Sequence, residues 1–223
     1  MRNRWFIALA AIGLHISIGS VYAWSVLTRP IMADMGFTLS QTTWTFSLAI
    51  LMLGLSAGFL GSFAEKIGPK KSGLLAMLFW VTGLFGTAYA LSIHNLTLLY
   101  LFYGIIGGIG LGIGYITPVS TLVKYFPNRP GFATGLAIMG FGFASLIAGP
   151  LMQYLVAQVG LVDTFIILGV IYLAIMGASS LYLKAPQPKH STRTTKDRST
   201  MYVHTYGMLA NDAMKTWQFG ALW

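Results

Sequence analysis

Six apolar stretches constrain this chain more than anything else in it: residues 5–26, 42–63, 72–91, 96–123, 131–159 and 164–183. A helix needs about 20 mostly apolar residues to cross the hydrocarbon core of a bilayer. Each stretch meets that length, so the sequence predicts an all-α polytopic membrane bundle with six transmembrane helices. Charged residues make up only 9% of the 223, against about 25% in an ordinary soluble domain. The mean hydropathy is +0.71. A soluble globule, a disordered chain and a nucleic-acid-binding domain are excluded on these grounds. The chain has no cysteine, so it holds no disulfide framework, thiolate metal site or cysteine nucleophile.

Charge placement tests the layout. With a cytoplasmic N-terminus, all of the 14 lysines and arginines except Arg29 fall in inner segments. That asymmetry is the positive-inside pattern, and it predicts a multi-pass protein of the plasma membrane with both ends of the bundle inside. Arg2, Arg4 and the following apolar run also have the look of a signal peptide cleaved near Val21-Tyr22-Ala23. The next segment is another membrane span, however, and not a secreted domain.

The breaks between spans carry turn residues. Arg29-Pro30 is expected to end the first helix, and Ser40 to cap the second, with Thr43 three residues on. Gly68-Pro69, His94-Asn95 and residues 127–130 supply the later turns. The fourth and fifth spans exceed the bilayer and contain Pro118 and Pro150, where a kink is expected. Residues 1–183 thus form the bundle, 184–213 a basic cytoplasmic linker rich in Pro, Ser and Thr, and 214–223 the start of a seventh helix. A terminus inside such a pattern points to a fragment.

Gly108-Ile109-Gly110 has no strand before it, so a dinucleotide site is excluded. Gly104, Gly108 and Gly112 form a stripe that lets a neighbouring helix approach closely. No Lys, Arg, Asp or Glu lies near the middle of a span, and His15 is the one histidine inside the six. Ionisable groups within a membrane mark functional sites by default. His15 and Tyr22 are seven residues apart, which puts them on one face of an α-helix. An intramembrane enzyme pairing His15 with Ser47 or Ser56 has no supporting motif. Asn95-Leu96-Thr97 matches a glycosylation sequon in a very short loop.

Several strings resemble known transporters. Gly61-Ser62-Phe63-Ala64-Glu65-Lys66-Ile67-Gly68-Pro69-Lys70-Lys71 resembles the loop signature of the major facilitator superfamily. The resemblance implies a conformational latch formed by Gly61, Glu65, Lys66, Gly68 and Lys70. Glu65 replaces the usual Asp, and Pro69 stands where a basic residue is common. Tyr103 occupies a position where the superfamily often has an arginine. The glycines leading to Gly149-Pro150 resemble the pattern of the superfamily's antiporters, implying a hinge there.

Three more strings are similar to the oxalate/formate antiporter family. They are Ile18-Gly19-Ser20-Val21-Tyr22-Ala23-Trp24-Ser25, Gly114-Tyr115-Ile116-Thr117-Pro118, and residues 124–135. The string before Trp223 is similar to that family's seventh helix. The resemblance implies the first half of a twelve-helix secondary transporter for a small organic anion such as oxalate or formate, driven by exchange or ion coupling, with no cofactor. It implies a substrate site at Tyr22 and Tyr115, with Phe141 where relatives carry a tyrosine; His15, as the ionisable group on the same helix face as Tyr22, is expected to line the same cavity. Val21 stands where oxalate-specific members carry Gln, which argues against oxalate itself. The resemblance also implies that the anion-pairing basic residues belong to a missing C-terminal half, so that this chain is inactive alone. The alternative is a self-contained six-helix homodimer.

Overall fold

In the computed structural model, residues 3–186 and residue 217 are described. The expected linker at 184–213 and the expected seventh helix at 214–223 therefore lie almost wholly outside the described residues. Every regular element among the described residues is helical.

Helix α1 spans Arg4–Gly19 and continues through a 3₁₀ turn, Ser20–Ala23, into α2, Trp24–Met35. Pro30 does not end this span. It lies inside α2, which runs on to Gly36 in the left-handed conformation, φ 68°. Gly36 is the common terminator of a helix because it lacks a Cβ.

Helix α3 spans Leu39–Ile67, and its cap is Thr38, not Ser40. The Thr38 hydroxyl accepts from the Gln41 backbone N–H, and the Gln41 side chain accepts from the Thr38 N–H. This reciprocal pair satisfies two donors that the first turn would otherwise leave open. Gly68, φ 83° and ψ 161°, turns α3 into α4, Pro69–Ser92.

The fourth span comprises α5, Leu96–Leu99, a π-helical segment, Tyr100–Gly107, and α6, Gly108–Tyr125. Asn95 caps α5 by accepting from the Leu98 N–H. The departure from α-helical geometry falls in the π segment, while Pro118 sits within α6.

The last helix, α7, spans Pro130–Tyr182, with one break at Gly160, φ 82° and ψ 177°. By length and composition, five helices among the described residues are apolar and long enough to cross a membrane, and α7 is one of them. Its two arms run in opposite directions. Along the first arm, Gly140 lies against Ile12 and His15, and Gly149 against Val26. The arm is therefore parallel to α1 and α2. Along the second, Ser179 meets Gly13, whereas Phe165 packs on Tyr103, which itself packs on Trp24. That arm is antiparallel to α1. Gly160 turns the chain much as Gly68 does, and the arms serve as the expected fifth and sixth spans.

Contacts at one end of the bundle gather the start of α1, the end of α3, the end of α6 and both ends of α7. Trp5 packs on Phe126 and Phe132, Lys124 pairs with Glu65, and the Tyr125 hydroxyl donates to the Lys184 carbonyl. Arg4, Lys66, Lys70, Lys71, Lys124, Arg129 and Lys184 all belong to this end. At the other end the Tyr100 hydroxyl donates to the Gln41 carbonyl.

The glycine stripe works by close approach. A Cβ at Gly108 would lie 2.6 Å from the Met52 Cβ and 2.8 Å from the Ala49 carbonyl oxygen, both on α3. One at Gly110 would lie 2.6 Å from the Trp80 nitrogen on α4. Helix α6 is wedged between these two neighbours, as small residues permit inside a membrane. Trp24 is a core residue, 3% exposed, with its ring 4.3 Å from that of Tyr103.

Candidate functional site

The four residues marked for substrate binding come from three parts of the chain and meet in one cluster. His15 lies on α1, Tyr22 on the 3₁₀ turn, Tyr115 on α6 and Phe141 on the first arm of α7. Phe141 is the hub. Its ring centroid lies 5.2 Å from Tyr22, 5.2 Å from Tyr115 and 5.7 Å from His15. Edge-to-face pairing of Tyr22 and Tyr115 with Phe141 matches the preferred geometry of aromatic quadrupoles. Phe46 of α3 packs against Tyr22 at 6.4 Å, a contact which sequence reasoning missed.

The members differ sharply in exposure. Tyr22 is 45% exposed, whereas His15 is fully enclosed. On an unbroken α-helix they would share a face. The intervening 3₁₀ turn winds at about 120° per residue against 100° for the α-helix, and so swings Tyr22 outward. Close approach of α1 to α7 at Gly19, where a Cβ would run into the Phe141 backbone, brings the turn onto the hub.

His15 is held from both sides. Its Nδ1 lies 2.6 Å from the Ala137 carbonyl oxygen and its Nε2 lies 3.0 Å from that of Tyr115. The ring stacks on Tyr115 at 5.6 Å with an interplanar angle of 25°. Carbonyls only accept, so a neutral imidazole donates to one of the two and an imidazolium to both. Neither Ser47 nor Ser56 contributes to this site. The Ser47 hydroxyl donates to the Thr43 carbonyl, and that of Ser56 to the carbonyls of Leu53 and Gly108.

The cluster presents two phenols, an aromatic wall and an enclosed imidazole, with no Lys, Arg, Asp or Glu among its side chains. Such a surface can stack against a small organic molecule and donate an O–H to it. It cannot by itself neutralise a carboxylate.

The expected latch residues lie at the basic end. Glu65 pairs with Lys124 at 2.9 Å, both about half exposed. Lys124 belongs to the string at 124–135, but its pairing with Glu65 joins two elements far apart in sequence and was not readable. Gly61 faces Ile116, Gly68 makes the turn, and Lys66 and Lys70 are exposed. At Gly149-Pro150 the first arm of α7 remains helical. Pro150 offers no N–H to the Leu146 carbonyl; Leu146 and Pro150 are exposed, whereas Gly149 is buried.

Residues 6–221 match the family model described as Major Facilitator Superfamily. The chain is 31% identical over 194 residues to an uncharacterised MFS-type transporter of Escherichia coli, covering 87% of this chain and 47% of the relative. It is 24% identical to the oxalate:formate antiporter of Oxalobacter formigenes, covering 99% of this chain and 51% of that protein. It is 28% identical to human monocarboxylate transporter 14, covering 76% and 33% respectively. The chain spans about half the length, or less, of these curated relatives. A helical bundle of apolar spans and a family match along nearly its whole length make this chain a multi-pass membrane protein of the major facilitator superfamily.

Proposed function

We propose that this bundle forms one wall of the substrate cavity of a secondary transporter for a small organic anion. The observation that carries this reading is the convergence of Tyr22, Tyr115 and Phe141 on one cluster, with Tyr22 left exposed. Tyr22 and Tyr115 would donate hydrogen bonds to the carboxylate while their rings and Phe141 cover its apolar part. His15 would brace the floor beneath them. Two relatives, by name, carry oxalate, formate or monocarboxylates, which supports the carboxylate class.

The other wall, with the cationic groups that an anion needs in a low-dielectric cavity, would come from a second six-helix bundle. Alternating access then rocks one bundle against the other, with Glu65, Lys66 and Lys70 latching the closed state and Gly149-Pro150 as the hinge. Exchange or an ion gradient would drive the cycle. The basic end of the bundle would face the cytoplasm from the plasma membrane.

Uptake of radiolabelled formate, oxalate and lactate into proteoliposomes tests the reading. Vesicles with this 223-residue chain alone should show no uptake above empty vesicles. Co-expression with a second bundle of the superfamily relative should restore uptake of one of the acids. Tyr22→Phe in that assembly should raise the KM for it by about tenfold, the loss of one hydrogen bond to a charged group. Unchanged uptake in both Tyr22→Phe and Tyr115→Phe would overturn the assignment of the wall.

A further inference from the structure

At the basic end, the start of α1 and the loop before α7 line an open cavity of about 370 Å³. Arg4 and Trp5 of α1 line it together with the segment from Tyr125 to Arg129 and with Phe132. Trp5, Phe126 and Phe132 pack edge to face as a triad, with centroids 5.6, 6.4 and 5.8 Å apart. The Arg4 guanidinium lies 5.5 Å from the Phe126 ring and 5.9 Å from the Trp5 ring. Cation–π attraction orients it without using up its N–H donors.

Among the described residues no carboxylate lines this cavity. Of the acidic residues described, Glu65 is engaged by Lys124, while Asp34 ends the first span and Asp163 follows the Gly160 turn, both at the opposite end. Arg4 and Arg129 therefore face a common space in which no described residue supplies an anion. Two planar forks around one cavity suit a tetrahedral oxyanion better than a single point charge would. Trp5 and Phe132 are about half exposed beside them. Aromatic rings next to arginines at the end of a span are what the headgroup layer of a bilayer favours.

We propose that this cavity binds a phosphate group, supplied by the headgroup of an anionic phospholipid. The site is separate from the aromatic cluster, and its occupation does not depend on which substrate the protein carries.

Native mass spectrometry of the full-length protein, released from nanodiscs of equal parts phosphatidylglycerol and phosphatidylcholine, tests this. The parent should retain phosphatidylglycerol. The double variant Arg4→Gln, Arg129→Gln should retain it at least about fivefold less, as expected when two charge-assisted contacts are lost. A control pair at the same end, Lys66→Gln with Lys70→Gln, should stay within about twofold of the parent, because exposed lysines contribute only diffuse attraction. Helical circular dichroism of each variant checks that it is folded. Inorganic phosphate titrated into phosphatidylcholine nanodiscs separates the sources. Failure of phosphate to stabilise the parent supports the lipid. Stabilisation by phosphate that is lost in the arginine variant keeps the phosphate site and overturns the lipid as its source. Equal retention in parent and arginine variant, or an equal loss in the lysine control, overturns the site.

Discussion

Tyr22 and Phe141 meet edge to face with ring centroids 5.2 Å apart, and the same Phe141 ring also touches Tyr115 and His15. Phe141→Ala removes all three contacts at once. Lipid tails are as apolar as a phenyl ring, so the loss is one of packing and not of water exclusion. A destabilisation of about 1–3 kcal/mol is expected, with Phe141→Leu losing less than half as much. Unfolding in mixed micelles measures both. A Phe141→Ala variant as stable as the parent would show that the ring is no hub.

His15 ties α1 to α6 and to the first arm of α7 through two carbonyls. Hydrogen bonds between membrane helices contribute about 0.6–2 kcal/mol each. His15→Ala should therefore lower stability by about 1–2 kcal/mol through the lost bond and the void it leaves. His15→Phe, which fills the space without donating, should recover part of the packing and none of the bonding. Equal stability of parent and His15→Phe would mean that the imidazole is only a filler.

The Glu65–Lys124 pair is short, 2.9 Å, but about half exposed on both sides. Water screens such a pair, so a double-mutant cycle on Glu65→Gln and Lys124→Gln should give a coupling below about 1 kcal/mol. The coupling should shrink further as salt is raised. A value above about 3 kcal/mol, undiminished by salt, would mark a pair dried by contacts absent from this bundle.

Gly160 holds φ 82° and ψ 177° between the two arms of α7. That region is accessible almost only to glycine, and a side chain there costs on the order of 1–3 kcal/mol. Gly160→Ala should lose that much stability, and Gly135→Ala, at an open helical position with nothing near its Cβ, should lose none. Thermal denaturation in detergent compares the two. Equal behaviour would mean that the arms are not joined by a turn of this kind.

The spans were readable from the sequence because each must be long and apolar. The joins inside them were not. The reversal at Gly160 falls in the break read between the fifth and sixth spans, but α7 is apolar on every side and only Asp163 close behind marks the place, so which residue makes the turn was not readable. The 3₁₀ turn at Ser20–Ala23 and the π segment at Tyr100–Gly107 change which residues share a face. No polar stripe records that rotation, since lipid and protein neighbours are equally apolar. The cap at Thr38 was within reach. Thr38 with Gln41 is the Thr-x-x-Gln pattern, and Ser40 drew attention only by lying nearer the apolar run. Pro30 misled because the helix that contains it ends six residues later, at Gly36. Of the site, Tyr22, Tyr115 and Phe141 were legible through resemblance, and His15 through its rarity. That they would converge required the close approach at Gly19, which only packing reveals.

The grip on His15 is made by main-chain oxygens of Ala137 and Tyr115. Selection can therefore exchange the phenol at position 115 for another group without cutting that tie. The rings at 22, 115 and 141 can therefore change one by one while the histidine brace is inherited unaltered, which on the proposed reading is how a lineage of such proteins would retune its cargo.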